Sequence, residues 1–168
     1  MAGQSGKKKT VVIASGVFDL LHLGHVKFLE EAKKAGGVNG ELIVIVARDS
    51  TVERMKGKKP IMPEKERCLL VEALKVVDRA VLGYENLDIG EVISDIKPDV
   101  IALGYDQDDM MNQVKDYLNR NKLDIKVVRI GKFGENGLDS SSKIKQEIID
   151  KRERQSYAQQ KFGHSNEL

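Results

Sequence analysis

Cysteine is almost missing from this chain. A single thiol, Cys68, excludes an internal disulfide and suits a reducing compartment. It falls in a helix-like apolar pattern, so it reads as core rather than as a nucleophile. No run approaches the ~18 apolar residues of a membrane span, and no signal peptide is visible. A cytoplasmic protein with no membrane partner is therefore expected. Charge of one sign is also lacking. A net charge of only +2 argues against a general nucleic-acid coat, though it leaves room for a local basic site. Metal-ligand clusters are missing too: there is no Cys cluster or His–Glu pattern, and the third histidine, His164, lies in a polar tail. Neither internal repeats nor low-complexity segments are evident.

What remains is an ordinary globular composition in 168 residues, one domain's length, enough to bury about two-thirds of the unfolded surface. Residues 1–9, with Lys7-Lys8-Lys9, read as a flexible start. Residues 10–151 read as the single domain, and 152–168 as a polar tail that frays. The segments 10–14, 42–47, 79–82, 100–103 and 125–130 read as strands, the first buried on both faces by its continuous apolar character. Helical patterns fill the gaps at 27–35, 63–75, 89–96, 108–121 and 140–150. The first turns Phe28, Leu29, Ala32 and Ala35 inward and stops at Gly36-Gly37, while Pro63 opens the second. The segment from Arg54 to Lys59 reads as a basic loop. Strand–helix alternation of this kind predicts an α/β fold: a parallel sheet with helices on both faces.

One stretch organises the rest: Gly16-Val-Phe-Asp-Leu-Leu-His-Leu-Gly-His25. It joins the first strand to the first helix. His22 and His25, three apart on a helical first turn, share one face. A helix N-terminus adds unpaired N–H groups and partial positive charge, and Gly24 would let a ligand approach the backbone. Together they make a phosphate-sized anion site. Two surface histidines, or half of a metal site, are the competing readings. The preceding strand and glycine turn favour phosphate.

The ten residues resemble the signature of the cytidylyltransferase-like nucleotidyltransferases, whose hallmark is His-x-Gly-His, and the likeness runs from about Thr10 to Asp150. The resemblance implies a Rossmann-like, doubly wound five-stranded sheet in order 3-2-1-4-5. Ligands would bind beyond the C-termini of strands one and four, where the order reverses. The loops 16–25 and 104–107 should then face one cleft. Gly16, Val17, Phe18, Leu23, Gly24 and the two histidines would bind nucleotide, Val17 and Phe18 by their backbone. Family lysines after the second strand contact the phosphates, which points to Lys56 and Lys58. Lys59 and Arg67 are further candidates to neutralise a triphosphate. Gly104, Tyr105 and Asp106 end the fourth strand, and an acidic side chain there suits ribose hydroxyls. Ser140-Ser141-Ser142-Lys143 resembles the family's second signature and would form another anion cradle at a helix start. Ser141 joins His22, His25, Lys56 and Lys58 among the expected catalytic residues. Glycerol-phosphate cytidylyltransferases carry an arginine where this chain has Glu135, which weakens the cytidylyl reading. Arg129 and Lys132 could supply that charge.

No nucleophile or general base is required by this chemistry. A phosphate monoester with a second pKa of about 6 is already mostly ionised at neutral pH. It would attack the α-phosphorus in line and expel pyrophosphate, with the histidines and Lys58 holding developing charge, a role in which single donors are worth ~3 kcal/mol. Mg²⁺ or another divalent cation would come with the nucleotide. The block 46–52, Met55-Lys56, 103–107 and Lys132-Phe-Gly134 most resembles archaeal FAD synthases, which join ATP and FMN. Their usual tyrosine is replaced here by Phe133, which keeps the ring surface beside adenine but not the hydroxyl. Glycerol 3-phosphate cytidylyltransferase, a sugar-phosphate adenylyltransferase and a non-catalytic nucleotide sensor are the alternatives. Homodimers are common in the family, so one is expected.

Overall fold

The computed structural model describes residues 8–86, 88–133 and 137–162, with side chains as far as Tyr157. Gly134 and Glu135 lie outside the described residues. The elements are β1(Thr10–Gly16), α1(Leu23–Ala35), β2(Gly40–Val46), α2(Asp49–Lys56), α3(Glu64–Glu72), β3(Arg79–Leu82), α4(Ile89–Ile96), β4(Val100–Gly104), α5(Asp108–Asn121), β5(Lys126–Ile130) and α6(Ser141–Phe162).

The strands form one five-stranded sheet, β3-β2-β1-β4-β5, with every pairing parallel. The register sets Val12 opposite Leu42 and Val100, so the most apolar strands sit at the centre. Alternate side chains leave by opposite faces. Val12, Ala14, Leu42, Val44 and Val46 meet Leu29 and Ala32 of α1 and Val71 of α3. Ile13, Ile43, Ile101 and Leu103 meet Val92 and Ile93 of α4 and Met111, Val114 and Leu118 of α5. Each such burial contributes about 1.5–3 kcal/mol, so continuous apolar runs are what the middle strands of a two-faced sheet require. Cys68 is partly buried against the first of these clusters, as expected of a core thiol.

Three local features differ from the sequence reading. The basic segment starts as helix: Arg54, Met55 and Lys56 form the last turn of α2, which ends at Gly57 in the left-handed region (φ 68°). Its anchors, Thr51 and Val52, are buried, but two residues are too few to show a helical period in the sequence. Helix α1 starts earlier, at Leu23, because His22 caps it. Helix α6 runs on to Phe162, through the part of the tail expected to fray from residue 152. It is polar almost throughout and is laced along its exposed faces by Lys151–Glu147 and Gln146–Asp150 pairs one turn apart. Among the described residues, no helix is long and apolar enough to cross a membrane.

Candidate active site

The strand order reverses at the neighbours β1 and β4, where the sequence places the ligand. Gln107 links their ends: its Oε1 accepts from Gly104 N (2.6 Å), and its Nε2 donates to Ser15 O (3.4 Å). The two strand ends, and the loops that follow them, are thereby fastened together.

The histidine loop is tightly constrained. Phe18 and Leu20 both hold positive φ (54° and 49°), uncommon for bulky residues and a form of strain concentrated at functional sites. The Phe18 side chain is only 2% exposed. It lies under Gly16, where an added Cβ would sit 3.0 Å from the ring, and 5.2 Å from the His25 ring centroid. His22 is the N-cap of α1, its Nδ1 accepting from His25 N at 3.4 Å. The neutral tautomer this implies carries its proton on Nε2. The two imidazoles stack, centroids 3.7 Å apart and planes 21° from parallel. Burial is the main force lowering the pKa of His25, with His22 adding to it, to about 4. Burial also lowers His22, against the opposing charge of Asp139. Both rings are thus neutral N–H donors at pH 7 in the absence of substrate. His25 Nδ1 is buried and has no hydrogen-bond partner among the described residues.

Gly24 has a different role from the one expected. A Cβ there would come within 2.4 Å of Asp139 O and 3.0 Å of His22 Nδ1. Glycine is needed here so that the backbone before α6 can close on the histidine turn.

Arg67 also corrects the sequence reading. It is 0% exposed, so it is no phosphate contact. Its guanidinium donates to Met62 O (3.0 Å), Val17 O, Ala47 O (2.8 Å) and Asp49 Oδ1 (2.6 Å). A planar fork of donors suits such divergent acceptors. The bond to Val17 O also removes that carbonyl from the groups open to a nucleotide. Phe133 is partly buried and packs against the core, so only part of its ring surface is left for a base.

The serine run is divided. Ser140 Oγ accepts from Lys143 N (3.3 Å) as the cap of α6, and Ser141 Oγ donates to Asp19 O. The Ser142 hydroxyl is on an exposed residue and makes no hydrogen bond among the described residues. Lys143 Nζ stands 2.6 Å from Asp139 Oδ1 in an ion pair without hydrogen-bond alignment. That ammonium is the main influence holding the Asp139 carboxyl below its usual range.

The outer residues are open. Lys56 and Lys58 are exposed and unpaired among the described residues, while Lys59 stands 3.7 Å from Glu53. Tyr105 is 45% exposed, with Lys132 Nζ 5.9 Å from its ring centroid, and Asp106 is exposed beside it. Arg129 pairs with Asp108 at the surface.

Residues 13–147 match the family model described as cytidylyltransferase-like. The chain belongs to this family. Curated relatives named FAD synthase include those of Methanopyrus kandleri, 50% identical over 139 residues (83% of this chain, 91% of the relative), and Aciduliprofundum boonei, 49% identical over 140 (83% and 91%). A Thermoplasma volcanium structure described as a lipopolysaccharide core biosynthesis protein is 46% identical, with a TM-score of 0.68 over 76% of this chain and all of that one. A curated Thermoplasma volcanium relative, also 46% identical, is named FAD synthase. The family makes the protein a nucleotidyltransferase with a Rossmann-like fold.

Asp19 and Asp139 are the residues the sequence reading passed over. Asp19 stands in the motif itself, but its partners at 61, 62, 141 and 145 are distant in the chain. Asp139 stands just before the serine run, and nothing local to it signals its approach to Gly24.

Proposed function

We propose that the protein is an FMN adenylyltransferase, joining ATP and FMN into FAD with release of pyrophosphate. The stacked, neutral His22–His25 pair at the start of α1 is the observation that carries it. Two N–H donors fixed by a cap, a ring stack and a glycine turn are suited to an oxygen whose charge grows during reaction. The acceptor phosphate attacks the α-phosphorus, a new P–O bond forms, and the bond to pyrophosphate breaks. No proton leaves the acceptor, which agrees with a site without an evident base. Lys56, Lys58 and the free Ser142 hydroxyl are the groups open to the departing phosphates, and Ser141 acts through its bond to Asp19. Asp106 and Tyr105 are assigned to the nucleoside. Relatives named FAD synthase at half identity support ATP and FMN over the other pairs. The structural relative's lipopolysaccharide description keeps a sugar phosphate as the second reading.

A divalent cation, Mg²⁺ in first place, accompanies the triphosphate in this proposal. Among the described residues no group of three or more His, Cys, Asp or Glu side chains is placed to hold a metal. When bound, such a cation would offset charge on the triphosphate. A homodimer is proposed as well, supported by the exposed Ile148 and Ile149 of α6, with light scattering as its test.

Pyrophosphate release with ATP or CTP, each paired with FMN, glycerol 3-phosphate or a heptose phosphate, tests the reading. Turnover is expected with ATP and FMN. Turnover with CTP alone removes it, and silence with every pair leaves a nucleotide sensor.

A further inference from the structure

Asp19 lies inside the histidine loop, only 5% exposed. Its carboxylate accepts from Ile61 N (3.1 Å), Met62 N (3.0 Å) and Lys145 Nζ (2.9 Å), and its carbonyl accepts from Ser141 Oγ. Three segments are knotted at this one residue. They are the histidine loop, the stretch that carries Lys58 and Lys59 into Ile61, and the serine end of α6. Burial by itself raises the Asp19 carboxyl, but Lys145 and the two backbone N–H groups outweigh it and hold the group ionised.

Lys145 is the cationic partner in this knot, two-thirds buried in its side chain. Its place near the start of α6 has no helical advantage. Cations near a helix N-terminus oppose the macrodipole, and the first turn of α6 holds no acid to offset them. What the position does offer is reach to Asp19. Without the ammonium, a buried carboxylate would keep only two backbone donors and would be drawn towards water. Its backbone would carry the Ser141 and Ile61–Met62 contacts with it.

We propose that Lys145 is a positioning residue for adenylyl transfer: through Asp19 it holds the serine end of α6 and the lysine-bearing stretch in register with the histidine pair. The inference rests on the nucleotidyl-transfer reading but not on the identity of the acceptor.

The test compares Lys145→Met, Lys145→Arg, Asp19→Asn and the Met/Asn double variant by kcat, by KM for the nucleotide and by thermal midpoint. It uses whichever nucleotide and acceptor give pyrophosphate with the wild type, so FMN can fail as acceptor without touching this inference. Lys145→Met should lose kcat on the order of 100-fold, the scale of a small misplacement of reacting groups, while KM changes little and the protein still melts cooperatively. Lys145→Arg should restore most of the rate. In the Asp19→Asn background, Lys145→Met should cost nothing further, because both changes break one link. A lower midpoint with wild-type kcat would overturn the inference by making Lys145 merely structural. A raised KM with kcat intact, or a further loss in the Asn background, would overturn it by putting the lysine on the substrate itself. Should Asp19→Asn not fold, the Met and Arg variants still decide between these outcomes.

Discussion

The loops that leave β1 and β4 start side by side but are built differently. The β1 loop is bound on every side. Phe18 is under Gly16, Val17 O is held by Arg67, Asp19 by Ile61, Met62 and Lys145, and Gly24 is closed over by Asp139. The β4 loop is fastened chiefly at its root by Gln107, and beyond it Tyr105 and Asp106 stand in solvent. The difference separates two tasks. Groups that meet developing charge must be placed before the reaction, because reorganisation at that moment costs rate. Groups that recognise a nucleoside need only be reachable, and open loops can close on a ligand. In the proposed function the tied loop is the reaction centre and the open one the recognition surface.

Breaking the tied side should have the largest effect. Arg67→Met leaves Val17 O, Met62 O and Ala47 O without their donor and Asp49 without its buried partner. Losses of about 3–5 kcal/mol are usual when one side of a buried charged network is removed, so urea unfolding should show a greatly reduced midpoint or no folded protein. A surface phosphate contact would have cost almost no stability.

Breaking the open side should leave the fold alone. Asp106→Ala is expected to raise KM for ATP by about tenfold, the value of one lost hydrogen bond to a sugar at ~1.4 kcal/mol, with kcat and the melting temperature nearly unchanged. A large fall in kcat would show that the β4 loop takes part in the chemistry.

The last effect is one of pH and needs no substitution to appear. His25 titrates near 4 when folded against an ordinary value of 6.5. Between those values the unfolded chain binds more protons than the folded one, so stability rises with pH across that window and is lost as pH falls through it. Chemical denaturation at pH 7, 6 and 5 should show a steady decline, and His25→Asn should flatten it. A decline of equal slope in the variant would assign the effect to other groups.

The sheet was readable in advance because its evidence is local. Val12, Ile13, Val44 and Ile101 belong to apolar runs that only a two-faced parallel strand explains. The histidine motif was readable because strand, glycine and imidazoles are contiguous. Arg67 was not, because its acceptors at 17, 47, 49 and 62 converge only after folding. From the sequence it is one more basic residue after Lys56, Lys58 and Lys59. Gly24 was read as an opening for ligand for the same reason, since Asp139 O arrives from the far end of the chain. The long α6 was hidden because helices steadied by polar pairs one turn apart carry little apolar pattern.

Single-turnover kinetics of His25→Ala with ATP and FMN test the imidazole pair most directly. The variant should bind ATP, retain its far-UV circular dichroism and release pyrophosphate at least about 100-fold more slowly, the scale for removing one preorganised donor. Near-wild-type turnover in a folded His25→Ala protein would contradict the placement of the reaction centre at this turn.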